Sequence, residues 1–106
     1  MNALNNNIKF NYLYRDAGNY KEFGEVIFSN PYSETLDKIG RLIHENLIED
    51  EFFIPESWNI PNLCFGDFSL DLDHDYHEFE SIEFTNEDET ESIDISTFLI
   101  VISKHK

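Results

Sequence analysis

Two histidines three residues apart, His74 and His77, stand in "DFSLDLDHDYHEFESIEF" (67–84) among seven carboxylates. His, Asp and Glu at close spacing are the residue types that bind divalent metals or move protons. A transition metal needs three or four donors converging on one point. The candidate donors are His74, His77, Asp73 and Asp75, with Glu78 beside them. On a helix the two histidines would share a face. However, Asp71, Asp73 and Asp75 are poor helix formers, and the strand-like "HEFESIEF" follows directly. On a strand, residues three apart point to opposite faces. A calcium loop is excluded by type: Asp71, Asp73 and Asp75 occupy positions 1, 3 and 5. Tyr76 stands where the sharp turn needs glycine, and Ile82 where the last carboxylate belongs.

Acid–base chemistry would pair His77 with Glu78, or His74 with Asp73. Sequence neighbours on a strand face away from each other, so neither pair is favoured. No Ser or Cys stands in a nucleophile motif, and no glycine-rich stretch has the phosphate-cradling pattern. No catalytic residue and no cofactor is assigned, and an enzyme is the less favoured class. A second polar cluster, "YRDAGNYK", crowds Arg15, Asp16, Asn19, Tyr20 and Lys21 at a turn. Turn chemistry explains much of it: Gly18 allows positive φ, and Asp16 or Asn19 can bond the local backbone. A loop on a rigid scaffold is also a common place for recognition.

Elements must hold these residues. "IKFNYLYR" (8–15) alternates, with Ile8, Phe10, Tyr12 and Tyr14 on one face and Lys9, Asn11, Leu13 and Arg15 on the other. Period two predicts a strand. "EFGEVIFS" (22–29) predicts its hairpin partner, with apolar residues on both faces, as in a central or covered strand. Leu36, Ile39, Ile43 and Leu47 recur at helical spacing and predict an amphipathic helix over 32–48, with Pro31 in the first turn and Asn30 or Ser33 as cap. Residues 49–66 carry Pro55 and Pro61 in an aromatic run. They predict short extended segments and turns, with Phe52, Phe53, Ile54, Trp58 and Leu63 plugging the core.

A strand is expected near 77–84. Its inward face is inconsistent by parity, since Phe79 alternates out of phase with Ile82 and Phe84. A bulge near Glu80–Ser81 would restore the phase. Residues 85–94 read as a solvated acidic loop. Ile95, Phe98, Leu99 and Ile102 favour a C-terminal helix over 94–104, capped by Ser92 or Asp94, although the β-branched Ile100–Ile102 run also suits a strand. The fold class is α+β: an antiparallel sheet packed by two helices, in one domain spanning 1–106.

Charge sets the expected partner. The 106 residues carry a net charge of −15. Residues 1–41 are balanced, whereas residues 42–103 hold no Lys or Arg and seventeen acids. Such a field repels nucleic acid and anionic membranes and speeds encounter with basic partners. Fifteen per cent aromatic residues argue against disorder. Cys64, the single cysteine, excludes a disulfide framework and suits a buried apolar role. There is no apolar run long enough to span a membrane, and the first residues lack a secretory pattern. A cytoplasmic location is expected.

"YLYRDAGNYKEFGEVIFSNP", "LDKIGRLIHENLIEDEFFIPESW" and "DHDYHEFESIEF" together resemble a family of small acidic bacterial proteins over nearly the whole chain. The resemblance implies a compact domain of bacterial or phage origin and carries no activity over to any residue. The expected function is an acidic protein-binding module that engages a basic protein surface, of the inhibitor or nucleic-acid-mimic kind. Its partner-binding residues would be Asp71, Asp73, Asp75, Glu78, Glu80, Glu83, Arg15, Asn19 and Tyr20. The alternative is a small metal-binding protein or metal-dependent enzyme built on 71–80. A third reading gives the charge to solubility alone.

Overall fold

Alternation along the chain's first strand organises the sheet in the computed structural model, which describes residues 6–15, 20–63 and 76–104. β1 (Asn7–Arg15) pairs with β2 (Lys21–Phe28) on one side and with β4 (His77–Thr85) on the other. β3 (Phe52–Phe53) adds to β4, giving the antiparallel order β2-β1-β4-β3. Ile8, Phe10, Tyr12 and Tyr14 are all buried on the inner face, as period two requires. Three helices accompany the sheet: α1 (Leu36–Asn46), the single turn α2 (Pro55–Trp58) and α3 (Ile95–Ser103). The α+β class and both longer helices stand as expected.

Aromatic side chains fill the space between layers. Phe98 of α3 stacks on Phe28 at 4.3 Å, and Trp58 stacks on Phe53 at 4.5 Å. Phe10 meets Phe53, Trp58 and Phe98 edge-on. Trp58 is thus a core residue. Such rings bury large areas and favour offset or edge contacts.

The helix boundaries correct the expected ones. α1 begins four residues later than 32, because Asn30 caps a turn and not the helix. Asn30 Oδ1 accepts the Glu34 N–H at 2.8 Å, Asn30 Nδ2 donates to the Glu34 carbonyl, and Ser33 takes φ 53°. Left-handed backbone at Ser33 cannot continue a right-handed helix. Thr35 is the true cap, its Oγ1 accepting the Lys38 N–H. α1 ends at Asn46, and Glu49 and Asp50 then adopt φ 53° and 60°. α3 is capped by Asp94, whose Oδ1 accepts the Thr97 N–H at 2.7 Å. The turn after Pro55 is helical, since proline suits the first helical position and Asn59 closes the turn with φ 59°.

β2 is an edge strand, not a central one. Its outer-face Ile27 is buried because the segment after β4 folds over it. Thr90 Oγ1 accepts the Ile27 N–H, and the Thr90 and Glu91 N–H groups donate to the Ile27 carbonyl. The Ile95 N–H then donates to the Ser29 carbonyl. The acidic stretch 85–94 is a loop with residues 86–90 exposed, as expected, and through Thr90 and Glu91 it also covers a sheet edge. Among the described residues, no helix is long and apolar enough to cross a membrane.

Candidate functional site: the acidic rim of β4

β4 presents its carboxylates through a bulge. Asn11 pairs with Ser81 and Tyr12 with Phe79, so Glu80 has no partner on β1. The extra residue shifts the alternation. Phe79 faces inward before it, and Ile82 and Phe84 sit opposite the buried Phe10 and Ile8 after it. The expected bulge is present at the expected place. Glu78 and Glu83 consequently share the outer face, while Glu80 is exposed in the bulge.

The three acids differ in availability. Glu78 is held by Arg15: Arg15 Nε donates to Oε2 at 2.9 Å and Nη2 to Oε1 at 3.2 Å. The planar guanidinium matches the carboxylate in a two-pronged contact. The hydrogen bonds to Glu78 raise the Arg15 pKa, against a partial desolvation that lowers it. Two residues expected to meet a partner thus engage each other. Glu83 accepts from Asn11 Nδ2 at 3.1 Å and stays exposed. Tyr20, beside the hairpin tip, is exposed to 78% of its surface. Asp71, Asp73, His74, Asp75 and Asn19 lie outside the described residues.

His77 is fully buried in β4, facing Phe53 across the strand pair. Its Nε2 accepts the Leu63 N–H at 3.0 Å. A backbone N–H can only donate, so Nε2 carries a lone pair, and that lone pair is used. The ring lies against Tyr14 at 5.0 Å, with Tyr12 and Phe53 at 6.0 Å. Such surroundings make His77 a polar tie between the sheet and the segment around Leu63. Tyr12 is a second tie: its hydroxyl donates to the Pro61 carbonyl at 2.7 Å, and burial pushes its pKa up to about 12. Among the described residues, no three His, Cys, Asp or Glu side chains gather as a metal ion would require.

A histidine–carboxylate pair forms that no local spacing announces. His44 Nδ1 and Asp50 Oδ1 are 3.0 Å apart on the exposed side of α1, and the His44 ring stands edge-on to Phe79 at 5.4 Å. The two residues lie six positions apart, a spacing that suits neither helix nor strand. The left-handed Glu49–Asp50 turn folds the chain back and makes the contact. Asp50, with Glu49 and Glu51, extends the acidic rim past β4's bulge, where the Glu51 carbonyl accepts the Phe79 N–H.

The basic side chains are largely consumed internally. Lys9 contacts Glu87 and Glu25, Lys38 contacts Glu34, and Arg41 approaches Glu45 at 4.0 Å. The Glu87 hydrogen bond raises the Lys9 pKa, and the same bond lowers that of Glu87. Ser96 and Lys38 likewise lower the Glu34 pKa by hydrogen bonding. No family model, curated protein or solved structure matches the chain.

Proposed function

We propose that the protein is an acidic binding module whose rim, centred on Glu80 and Glu83 of β4 and continued by Asp50 and Glu51, engages a basic protein surface. The observation that carries this reading is the allocation of charge. Lys9, Arg15 and Lys38 are committed to carboxylates of their own chain, and Arg41 lies 4.0 Å from Glu45. The excess of seventeen acids in residues 42–103 has no basic residue of that span to offset it. Carboxylates spaced along a strand can accept charge-assisted bonds from partner Arg and Lys side chains, as phosphates do. An inhibitor or nucleic-acid mimic acting on a basic protein, such as a nuclease, toxin or defence complex, fits this chemistry.

Affinity purification with mass spectrometry, followed by binding measurements across a salt series, tests the proposal. Screening shortens from about 10 Å at 0.1 M salt to about 3 Å at 1 M. A basic partner whose affinity falls steeply over that range is expected. Glu80→Gln with Glu83→Gln should slow association without changing the melting temperature. An affinity indifferent to salt would leave the charge a solubility device and defeat the reading.

A further inference from the structure

Among the described residues, nothing pairs with the outer edge of β4 beyond β3. Ile27 turns its N–H and carbonyl away from β1 toward Thr90, so Phe28 and Val26 bond Ile8 and Phe10 in the alternating antiparallel ladder. β1 therefore uses Asn7, Lys9 and Asn11 to bond Thr85, Glu83 and Ser81. By the same alternation, the N–H and carbonyl groups of Ile82 and Phe84 point away from β1. The Phe79 N–H, which meets the Glu51 carbonyl on the β3 side, agrees with that assignment before the bulge. No described residue pairs with the backbone of Ile82 or Phe84 on the outer side. β3 begins only after the left-handed Glu49–Asp50 turn, so it does not run further along β4.

A cleft accompanies this edge. It has a volume of about 310 Å³ and runs between the start of α1 and the end of β4, lined by Asn6, Asn30, Ser33, Leu36, Asp37 and Phe84. Phe84 is 45% exposed there. Gly40, one turn further along α1, brings only an ordinary 3.8 Å approach to Ile82 where its missing Cβ would lie. The same end of the molecule thus offers backbone groups with no described partner, the apolar side chains of Leu36 and Phe84 within an otherwise polar cleft and, on the opposite face of β4, Glu83 with Glu80 beside it.

We propose that the β4 edge accepts an extended segment of a basic protein partner as an added strand, with alternating side chains of two kinds. This deepens the acidic-rim reading and rests on it. One set of side chains would enter the cleft beside Leu36 and Phe84 and should be apolar. The other set would face Glu80 and Glu83 and should be Lys or Arg. Charge selects this occupant over a second copy of the chain, since two molecules at −15 repel each other and like charges would meet along the edge. The opposite sheet edge offers no equivalent at Ile27, where Thr90 already occupies the backbone.

The test uses isotope-labelled full-length protein and a short alternating Lys–Val peptide at low salt. Its counterpart is N-methylated on alternate residues, which keeps every charge but removes one row of backbone donors. The expected result is amide-shift changes centred on Ile82 and Phe84, and at least about tenfold weaker binding of the methylated peptide. Phe84→Pro, which deletes an outward N–H, should weaken the parent peptide similarly. If that variant does not fold, the methylated peptide alone still decides. Equal binding of both peptides overturns strand addition and leaves the acidic rim standing. Binding of neither overturns strand addition and the acidic-rim reading together.

Discussion

Between His77 and Phe79, β4 lies between two strands; from Glu80 to Thr85 no described strand pairs with its outer edge. In the first region every polar feature is tied. Glu78 is forked by Arg15, His77 Nε2 holds the Leu63 N–H, and the Phe79 N–H reaches Glu51. In the second, Glu80 is exposed and the outward backbone of Ile82 and Phe84 has no described partner. Two stretches of one acidic strand therefore differ: the first fastens the fold, and the second, exposed, is the one proposed for recognition. Residue type does not separate them, because both carry glutamates. Coverage by β3 does.

Substitutions that strike each region separately can break or sharpen this contrast. The largest effect is expected at His77. His77→Ala removes a buried ring and leaves the Leu63 N–H without its acceptor, so urea unfolding should show a loss of ~2–4 kcal/mol. A loss near zero would refute a fastening role for the covered half. Next is Thr90→Val, which keeps the shape but removes the acceptor of the Ile27 N–H on the protected edge. It should cost about 1–2 kcal/mol and speed hydrogen exchange at Ile27, marking β2's edge as covered in the way β4's is not. Asp94→Ala deletes the α3 cap and should cost about 1 kcal/mol in the same unfolding assay.

A smaller effect belongs to pH. Glu87 titrates below its ordinary 4.5 and Lys9 above its ordinary 10.5, each chiefly through their shared hydrogen bond. Stability from Glu87 is present above 4.5 and lost as pH falls through its lowered value. That from Lys9 is present below 10.5 and lost as pH rises through its raised value. Lys9→Met should therefore lower the melting temperature slightly between these limits, with the difference from wild type fading in acid and in strong base. Smallest of all, Glu80→Gln should leave the melting temperature unchanged while altering the salt dependence of partner binding. A clear loss of stability would move Glu80 into the fastening half.

Much of the scaffold was legible in the chain. The alternation of Ile8, Phe10, Tyr12 and Tyr14 and the helical spacing of Ile39 and Ile43 are local patterns, and burial follows them. Even the bulge could be read, because the inward apolar residues of "HEFESIEF" change parity once. The start of α1 was misread because Asn30, Pro31 and Ser33 are good helix starters that serve equally well in a turn. Composition shows 85–94 as an exposed acidic loop, whereas Thr90's contacts with the β2 edge depend on where the chain returns.

The sequence by itself determined the α+β class, the inner faces of β1, α1 and α3, the phase break in β4 and the excess of acid after residue 41. These follow from periodicity and composition, which need no knowledge of distant neighbours. The tertiary structure alone decided that Arg15 neutralises Glu78 across 63 positions, that His77 is spent on a backbone donor and that His44 meets Asp50. It also decided that one sheet edge is covered, while the β4 edge beyond β3 has no partner among the described residues. These outcomes turn on strand register and on two left-handed residues in a turn. The register sets which side chains meet across the sheet, and the turn sets where a strand begins.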